Sequence, residues 1–215
     1  MKIQFLGAAG EVTGSRYSVE VMLSGKPRQF MVDYGMFQGG REATSKNLEP
    51  LLFPPKDLDF IVLTHAHIDH SGLLPRLCAQ GFKGPIYCTG ATLELLKILL
   101  PDSAYLQRAD VDRAERKKKA GKWRGEMPVA LYSSDEVEMT LMQFEVVEYG
   151  QKKELAPGIM LEFRNAGHIL GACSIVLHLE NKILVFSGDI GRDNDVLMYP
   201  PTKPKKADYL FLEST

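Results

Sequence analysis

No apolar run in this sequence approaches the roughly 20 residues that a bilayer-spanning helix needs. The longest stretches, Leu95-Leu96 and Ile98-Leu99-Leu100, are broken by Lys97. The opening Met1-Lys2-Ile3-Gln4-Phe5-Leu6-Gly7 also lacks the apolar core and small-residue cleavage site of a secretory signal, so a cytoplasmic location with no membrane contact is the expectation. Cysteine is scarce. Cys78, Cys88 and Cys173 are odd in number and widely spaced, which fits neither a disulfide framework nor a paired zinc knuckle, and small buried thiols are expected. An excess of one charge is missing as well: 26 Lys and Arg stand against 27 Asp and Glu, a net charge of -1 at pH 7. Any surface for an anionic partner therefore has to be local. Internal repeats and low-complexity tracts are absent.

What is present is the composition of an ordinary globular chain, 215 residues with 45% hydrophobic and 25% charged side chains, enough for one well-cored domain over 1–215. Short strands are expected over 2–6, 17–23 and 29–33, joined by a Gly-rich turn at 7–14 and by Ser24-Gly25-Lys26-Pro27, so the chain opens as an antiparallel meander. A loop with Gly35, Gly39, Gly40, Pro50, Pro54 and Pro55 leads to the buried strand Phe60-Ile61-Val62-Leu63. Helix is expected over 71–80, over 92–100 with Thr89 or Thr92 as its cap, over 102–124, and again from Ser134. Between them a short strand covers 85–88. Strands return over 145–149, 159–165, 174–179, 182–187 and 209–212, and strands at both ends with helices between imply an α+β fold with two layers of sheet or a sheet covered by helices.

The apolar strand at 60–63 runs directly into His65-Ala66-His67-Ile68-Asp69-His70. Three imidazoles and a carboxylate within six residues are a transition-metal ligand set, zinc being the default. A core would leave so many polar groups unpaired. Two later turns after strands, Asn165-Ala166-Gly167-His168-Ile169-Leu170-Gly171 and Phe186-Ser187-Gly188-Asp189-Ile190-Gly191, add a histidine and an aspartate. Each alone reads as a turn residue, and together with the first segment they point to metal-assisted hydrolysis.

In this order the three segments resemble the metallo-β-lactamase superfamily. Asp33-Tyr34-Gly35-Met36-Phe37-Gln38-Gly39, Gly167-His168-Ile169-Leu170-Gly171-Ala172, Leu212-Glu213-Ser214-Thr215 and the opening Phe5-to-Ser15 segment look like its β-CASP branch, which processes RNA and DNA. The resemblance implies an αβ/βα sandwich. It further implies that His65, His67 and His168 hold one zinc, that Asp69 and His70 hold a second, and that Asp189 bridges them. Asp69 and Glu213 are then the catalytic carboxylates. The implied reaction is cleavage of RNA phosphodiester bonds, as endonuclease, 5′ exonuclease or both, by metal-activated water, with RNA or single-stranded DNA as substrate and a homodimer or processing complex as the assembly.

The family pattern continues past the Glu-Ser-Thr motif into a nucleic-acid cap, further histidines and closing strands. The present sequence stops inside that motif, so it is expected to be the front portion of the domain and, alone, a weak nuclease. All five histidines are already in view, the fifth being His178, expected as a packed or surface residue. The family's acid for the leaving group is thus missing, and Glu213 lacks the downstream histidine it would orient. Asp33 has two readings: a turn residue, or a buried acceptor that fixes the tautomer of a ligand histidine.

Residues 108–124 hold eight Lys or Arg against three acids, with Lys117, Lys118, Lys119, Lys122 and Arg124 near Trp123. A solvated helix face explains such a run, and so does a stripe that contacts nucleic-acid phosphates. Two rival functions stay open: a small-molecule hydrolase acting on a thioester or lactam, and a catalytically silent RNA-processing subunit.

Overall fold

The middle strands are apolar on both faces because both faces are covered. In the computed structural model, which describes residues 1–214 and, at position 41, the backbone alone, β3 (Lys26–Tyr34) and β4 (Phe60–Val62) pair in parallel. Successive side chains alternate across a sheet. Phe30, Val32, Phe60 and Val62 accordingly enter one buried cluster, and Met31, Ile61 and Leu63 enter another. This is why the Phe60-to-Leu63 run shows no polar alternation.

The first sheet has the order β1 (Lys2–Gly7), β2 (Arg16–Leu23), β3, β4, β5 (Ile86–Cys88), β6 (Phe144–Val146). It is antiparallel from β1 to β3, as the opening meander implied, and parallel from β3 to β6. The second sheet has the order β11 (Tyr209–Phe211), β10 (Lys182–Phe186), β9 (Cys173–Leu179), β8 (Ile159–Asn165), β7 (Lys152–Ala156), antiparallel except for the parallel β10–β11 pair. Phe30, Phe60 and Tyr87 meet Phe163, Ile175, Leu177 and Phe186 between the sheets, where no helical residue enters the cluster. On the other face of the first sheet lie α3 (Leu74–Ala79), α4 (Gly90–Lys119) and α5 (Ser134–Leu141), which bury Leu74, Leu77, Leu96, Leu100 and Val137. Each fully buried leucine contributes about 1.5–3 kcal/mol. The fold is α+β with two sheets, and among the described residues the helical packing lies against the first sheet.

Several local expectations are corrected. The helix over 71–80 is two pieces, α2 (Ile68–Ser71) and α3, because Pro75 has no N–H to donate and its ring excludes a continuous helix through Ser71. The helix expected over 92–100 and continuing over 102–124 is α4, which runs unbroken through Pro101 and is capped by Thr89, whose Oγ1 accepts from the Thr92 N–H at 3.3 Å. It stops at Lys119 because Gly121 takes φ +68° and the N–H of Lys122 turns back to the Lys117 carbonyl, so Lys122 and Arg124 lie beyond the helix. Helix α1 (Arg41–Leu48) occupies part of the expected loop, and β7 was not foreseen. The expected strand over 145–149 is β6, with Tyr149 making only an isolated bridge to Phe163. Helix α5 begins at Ser134, as expected, and Ser133 caps it in a reciprocal pair with Glu136.

The carboxyl ends of β4, β8 and β10 all open into turns that gather at one edge. The Cys173 N–H donates to the Thr64 carbonyl at 2.9 Å and ties the two sheets together there.

Candidate metal centre

Three turns deliver four donors to one point at that edge. His65 Nε2 and His168 Nε2 lie 3.0 and 3.2 Å from His67 Nδ1, and Asp189 Oδ2 is 3.7 Å from His65 Nε2 and 3.4 Å from His168 Nε2. One donor atom from each of the four side chains lies within 4.8 Å of the others. The second Asp189 oxygen, Oδ1, faces away from this set and is 3.2 Å from His70 Nε2, which Asp69 Oδ2 approaches at 3.8 Å. One carboxylate thus presents an oxygen to each of two adjoining donor groups.

The tautomers follow from Asp33. It is the extra residue of a β-bulge, since Arg16 pairs with Tyr34 while Tyr17 pairs with Val32, and its φ of +55° belongs to the left-handed region that Asp tolerates better than most. The bulge turns its side chain inward. Asp33 Oδ1 accepts from the Thr64 backbone N–H, and Oδ2 accepts from the Thr64 hydroxyl and from His70 Nδ1, all at 2.8 Å. With its proton committed to Asp33, the Thr64 hydroxyl is left to accept from His65 Nδ1 at 3.0 Å. Both His65 and His70 therefore carry a proton on Nδ1, which leaves the Nε2 lone pair of the neutral His65 facing the donor set and turns His70 Nε2 toward Asp189. Asp33 lies inside β3, at its bulge and not in a turn, as a buried acceptor for Thr64 and His70. Thr64 was missed in the sequence, where a hydroxyl beside a histidine carries no signal.

The turns themselves are clamped. Gly35 lies so close to the His65–His70 segment that an added Cβ would stand 1.6 Å from the Asp69 carbonyl oxygen. Ser15 N–H and Met36 N–H hold the Asp69 and Ile68 carbonyls at 2.8 and 2.9 Å. Gly191 packs against the His168 turn just as tightly, with a Cβ position 1.7 Å from the Gly167 carbonyl oxygen. Asn165, also missed, donates from Nδ2 to the Tyr199 and Pro200 carbonyls at 3.0 Å each and accepts from the Gly167 N–H at 3.2 Å. Glu213 does have a partner: its Oε1 accepts from the N–H of Ile190, next to Asp189, and its own N–H reaches Ser187 Oγ at 3.1 Å. Thr215, the end of the Glu-Ser-Thr motif, lies outside the described residues.

Burial pushes His65 down to about 2, with the neighbouring His70 adding to the effect. Burial, and after it His168, also lowers His67. Both rings are neutral, the state a metal ligand requires. Burial opposes the charged form of His70 too, yet the Asp33 and Asp189 carboxylates override it and raise His70 to about 10. Burial likewise opposes ionisation of Asp189, and the hydrogen bond and charge of His70 prevail, taking it down to about 2. The centre thus stabilises positive charge against Asp189. Neutral imidazoles plus carboxylates around such a point fit a borderline divalent ion such as zinc.

A cavity of about 330 Å³ opens beside the cluster, with Asp33, Thr64, His70 and Asp189 at its floor and Ala8, Val12, Leu212 and Glu213 among its walls. The basic residues are not there. α4 starts at this edge, where the Thr89 and Thr92 hydroxyls donate to the Gly171 carbonyl at 2.7 and 3.0 Å, and thirty helical residues at 1.5 Å each carry its far end about 45 Å along the helix axis. Trp123 is half-buried with its indole nitrogen hidden. His178 sits in β9, also half-buried and remote in register from the turns.

A family model described as the metallo-beta-lactamase superfamily matches residues 22–211. The chain belongs to that superfamily. Its β-CASP resemblance is borne out by relatives that match along the whole chain. Ribonuclease TTHA0252 of Thermus thermophilus is 38% identical over 216 residues, covering 100% of this chain and 44% of the relative. Transcription termination factor FttA of Methanocaldococcus jannaschii is 31% identical over 218 residues, covering 100% of this chain and 31% of the relative. The chain spans less than half the length of these curated relatives. Among solved structures, the metallo-beta-lactamase fold protein YhfI of Bacillus subtilis shares the fold at a TM-score of 0.50 and 18% identity, over 87% of this chain and 61% of that one.

Proposed function

We propose that this chain carries the metal centre of a zinc-dependent hydrolase that cleaves RNA phosphodiester bonds. The observation that carries the reading is the convergence of three imidazole nitrogens and Asp189, with His65 held through Thr64 and Asp33 in the tautomer that offers its lone pair. His65, His67 and His168 would hold one ion, Asp69 and His70 the second, and Asp189 would give one oxygen to each. When bound, such a pair supplies Lewis acidity toward water and toward the phosphoryl oxygens of the substrate.

The chain's own residues do the remaining work. Asp33 fixes the ring of His70 directly and that of His65 through Thr64. Glu213 anchors the Ile190 N–H and so the turn that carries Asp189, which is its positioning role. Asp69, partly exposed beside His70, is the carboxylate that takes the proton of the attacking water at Oδ2. The 330 Å³ cavity beside Asp189 receives the strand at the scissile bond. RNA as the substrate is favoured over a thioester or lactam by the ribonuclease name of the 38%-identical relative. Endonucleolytic cleavage, 5′-exonucleolytic cleavage or both belong to the proposal, as do a cytoplasmic location and assembly as a homodimer or in a processing complex.

The test is a 5′-labelled RNA incubated with the zinc-loaded protein with and without chelator. Slow cleavage that chelator abolishes is expected. Intact RNA in both arms, with zinc bound stoichiometrically, overturns the proposal.

A further inference from the structure

The last turn of α4 carries Arg116, Lys117, Lys118 and Lys119, and the turn after it carries Lys122 and Arg124. All six are exposed. None makes an ion pair among the described residues, whereas the earlier Arg108 and Arg113 are neutralised by Asp112 and Asp110. This end is not a frayed tail. Gly121 donates to the Lys118 carbonyl at 3.0 Å and Lys122 to the Lys117 carbonyl at 2.8 Å, closing the helix and holding the cations on a fixed frame.

The helix dipole does not account for them. It amounts to about half a negative charge and acts within the last turn, so one or two cations would satisfy it. Four in one turn and two beyond repel one another, in a chain whose net charge is -1. A surface that concentrates like charge at a cost to its own stability has a polyanion as its natural complement.

Its position separates it from the metal centre. β5 is three residues long, about 10 Å, while α4 runs back from the metal edge for thirty residues, about 45 Å. Leu96, Leu100 and Ala104 are buried against the sheet, and beyond them only Ala114 is. The basic end therefore lies past the last buried residue of α4, at the end of the helix opposite the metal edge. Acidic Glu94, Asp102 and Asp112 lie along the helix between and interrupt the basic run.

We propose that the α4 end is an anchor for the phosphate backbone of RNA, contacting the substrate at the far end of a helix about 45 Å long that starts at the metal edge. The choice of RNA as the polyanion rests on the proposed hydrolase activity. Contacts of this kind are blind to sequence and act through counterion release. A strand that engages both places must span the distance between them, so the anchor selects long or folded RNAs over short ones.

The test is filter binding of a long single-stranded RNA and of a short oligonucleotide to the full chain in chelator, across a salt series. The triple variant K117Q/K118Q/K119Q is compared with wild type, and circular dichroism and melting verify the fold. Each lysine's phosphate contributes about 0.7 to the slope of log affinity against log salt on a single strand, so the triple variant should lose about 2. Its affinity for the long RNA at about 0.1 M salt should fall more than ten-fold, the difference closing as salt rises. Equal slopes and affinities for the two proteins overturn the anchor and leave the surface to an acidic protein partner. Because cleavage is suppressed, a lysine-dependent, salt-steep affinity supports the anchor even if the loaded protein cuts no RNA.

Discussion

Asp33 Oδ2 stands 2.8 Å from His70 Nδ1 and accepts at the same distance from the Thr64 hydroxyl that holds His65, so a single buried carboxylate sets the rings of two candidate ligands. Replacing it by alanine strands three donors in the interior and forces a left-handed backbone on a residue that resists it. Asp33→Ala should lower stability by about 3 kcal/mol and metal affinity by about 10–100-fold. Asp33→Asn, which tolerates the same backbone and keeps one acceptor oxygen, should fold better and bind metal at an intermediate level. Metal content per chain after dialysis, with melting temperature alongside, checks both. Wild-type zinc retention in Asp33→Ala would leave the residue only its place in the β3 bulge.

How much of this was legible beforehand depends on whether the signal is local. His65, His67, Asp69 and His70 are contiguous, and their chemistry is readable without the fold. The relay through Thr64 was not, because a hydroxyl gains its meaning from a carboxylate 31 positions away. Asn165 was invisible for the same reason, its partners lying at Tyr199 and Pro200. Helix α1 escaped because Arg-Glu-Ala-Thr-Ser-Lys-Asn-Leu has almost no apolar face, so its periodicity is silent. β7 escaped as an edge strand in which lysines occupy two of five positions. Lys122 and Arg124 were assigned to a helix because charge continuity was read past Gly121, the residue that ends it.

The three thiols should be inert in the folded protein. Burial pushes Cys88 up to about 12, raises Cys78, and takes Cys173 well above an ordinary thiol, with Asp33 adding to the effect there. The reactive species is the thiolate, and burial both suppresses it and excludes the reagent. Titration with an aromatic disulfide reagent near pH 8 should find no reactive thiol in the native chain and three after denaturation. A fast-reacting native thiol would contradict the buried placement.

Asn165 should act on the metal through His168. Its amide straps the Tyr199 and Pro200 carbonyls to the turn and its oxygen holds the Gly167 N–H, one residue before the ligand. Asn165→Ala removes all three contacts and should weaken zinc binding about ten-fold, at a stability cost of about 1–2 kcal/mol. Asn165→Asp keeps the acceptor for Gly167 but sets a carboxylate against two carbonyls, so the strap alone is lost. Competition against a coloured chelator measures both affinities. If neither variant differs from wild type, the strap is a purely structural closure.

Gly35 tests whether the ligand segment depends on close backbone approach. A methyl group there would lie 1.6 Å from the Asp69 carbonyl oxygen and 2.7 Å from the His70 nitrogen, and both are backbone atoms that cannot rotate aside. Gly35→Ala should therefore push the Asp69–His70 peptide outward, separate those two side chains from Asp189, and cost about 3 kcal/mol. Gly40 supplies the contrast, since nothing lies within 4 Å of its added Cβ and its φ is -73°. Gly40→Ala, at the N-cap of α1, should cost no more than about 1 kcal/mol. Urea unfolding and metal content separate the outcomes: Gly35→Ala should lose both stability and zinc while Gly40→Ala keeps both. Equal behaviour of the two variants would show that the segment has room to move, and the dependence of the centre on this contact would be abandoned.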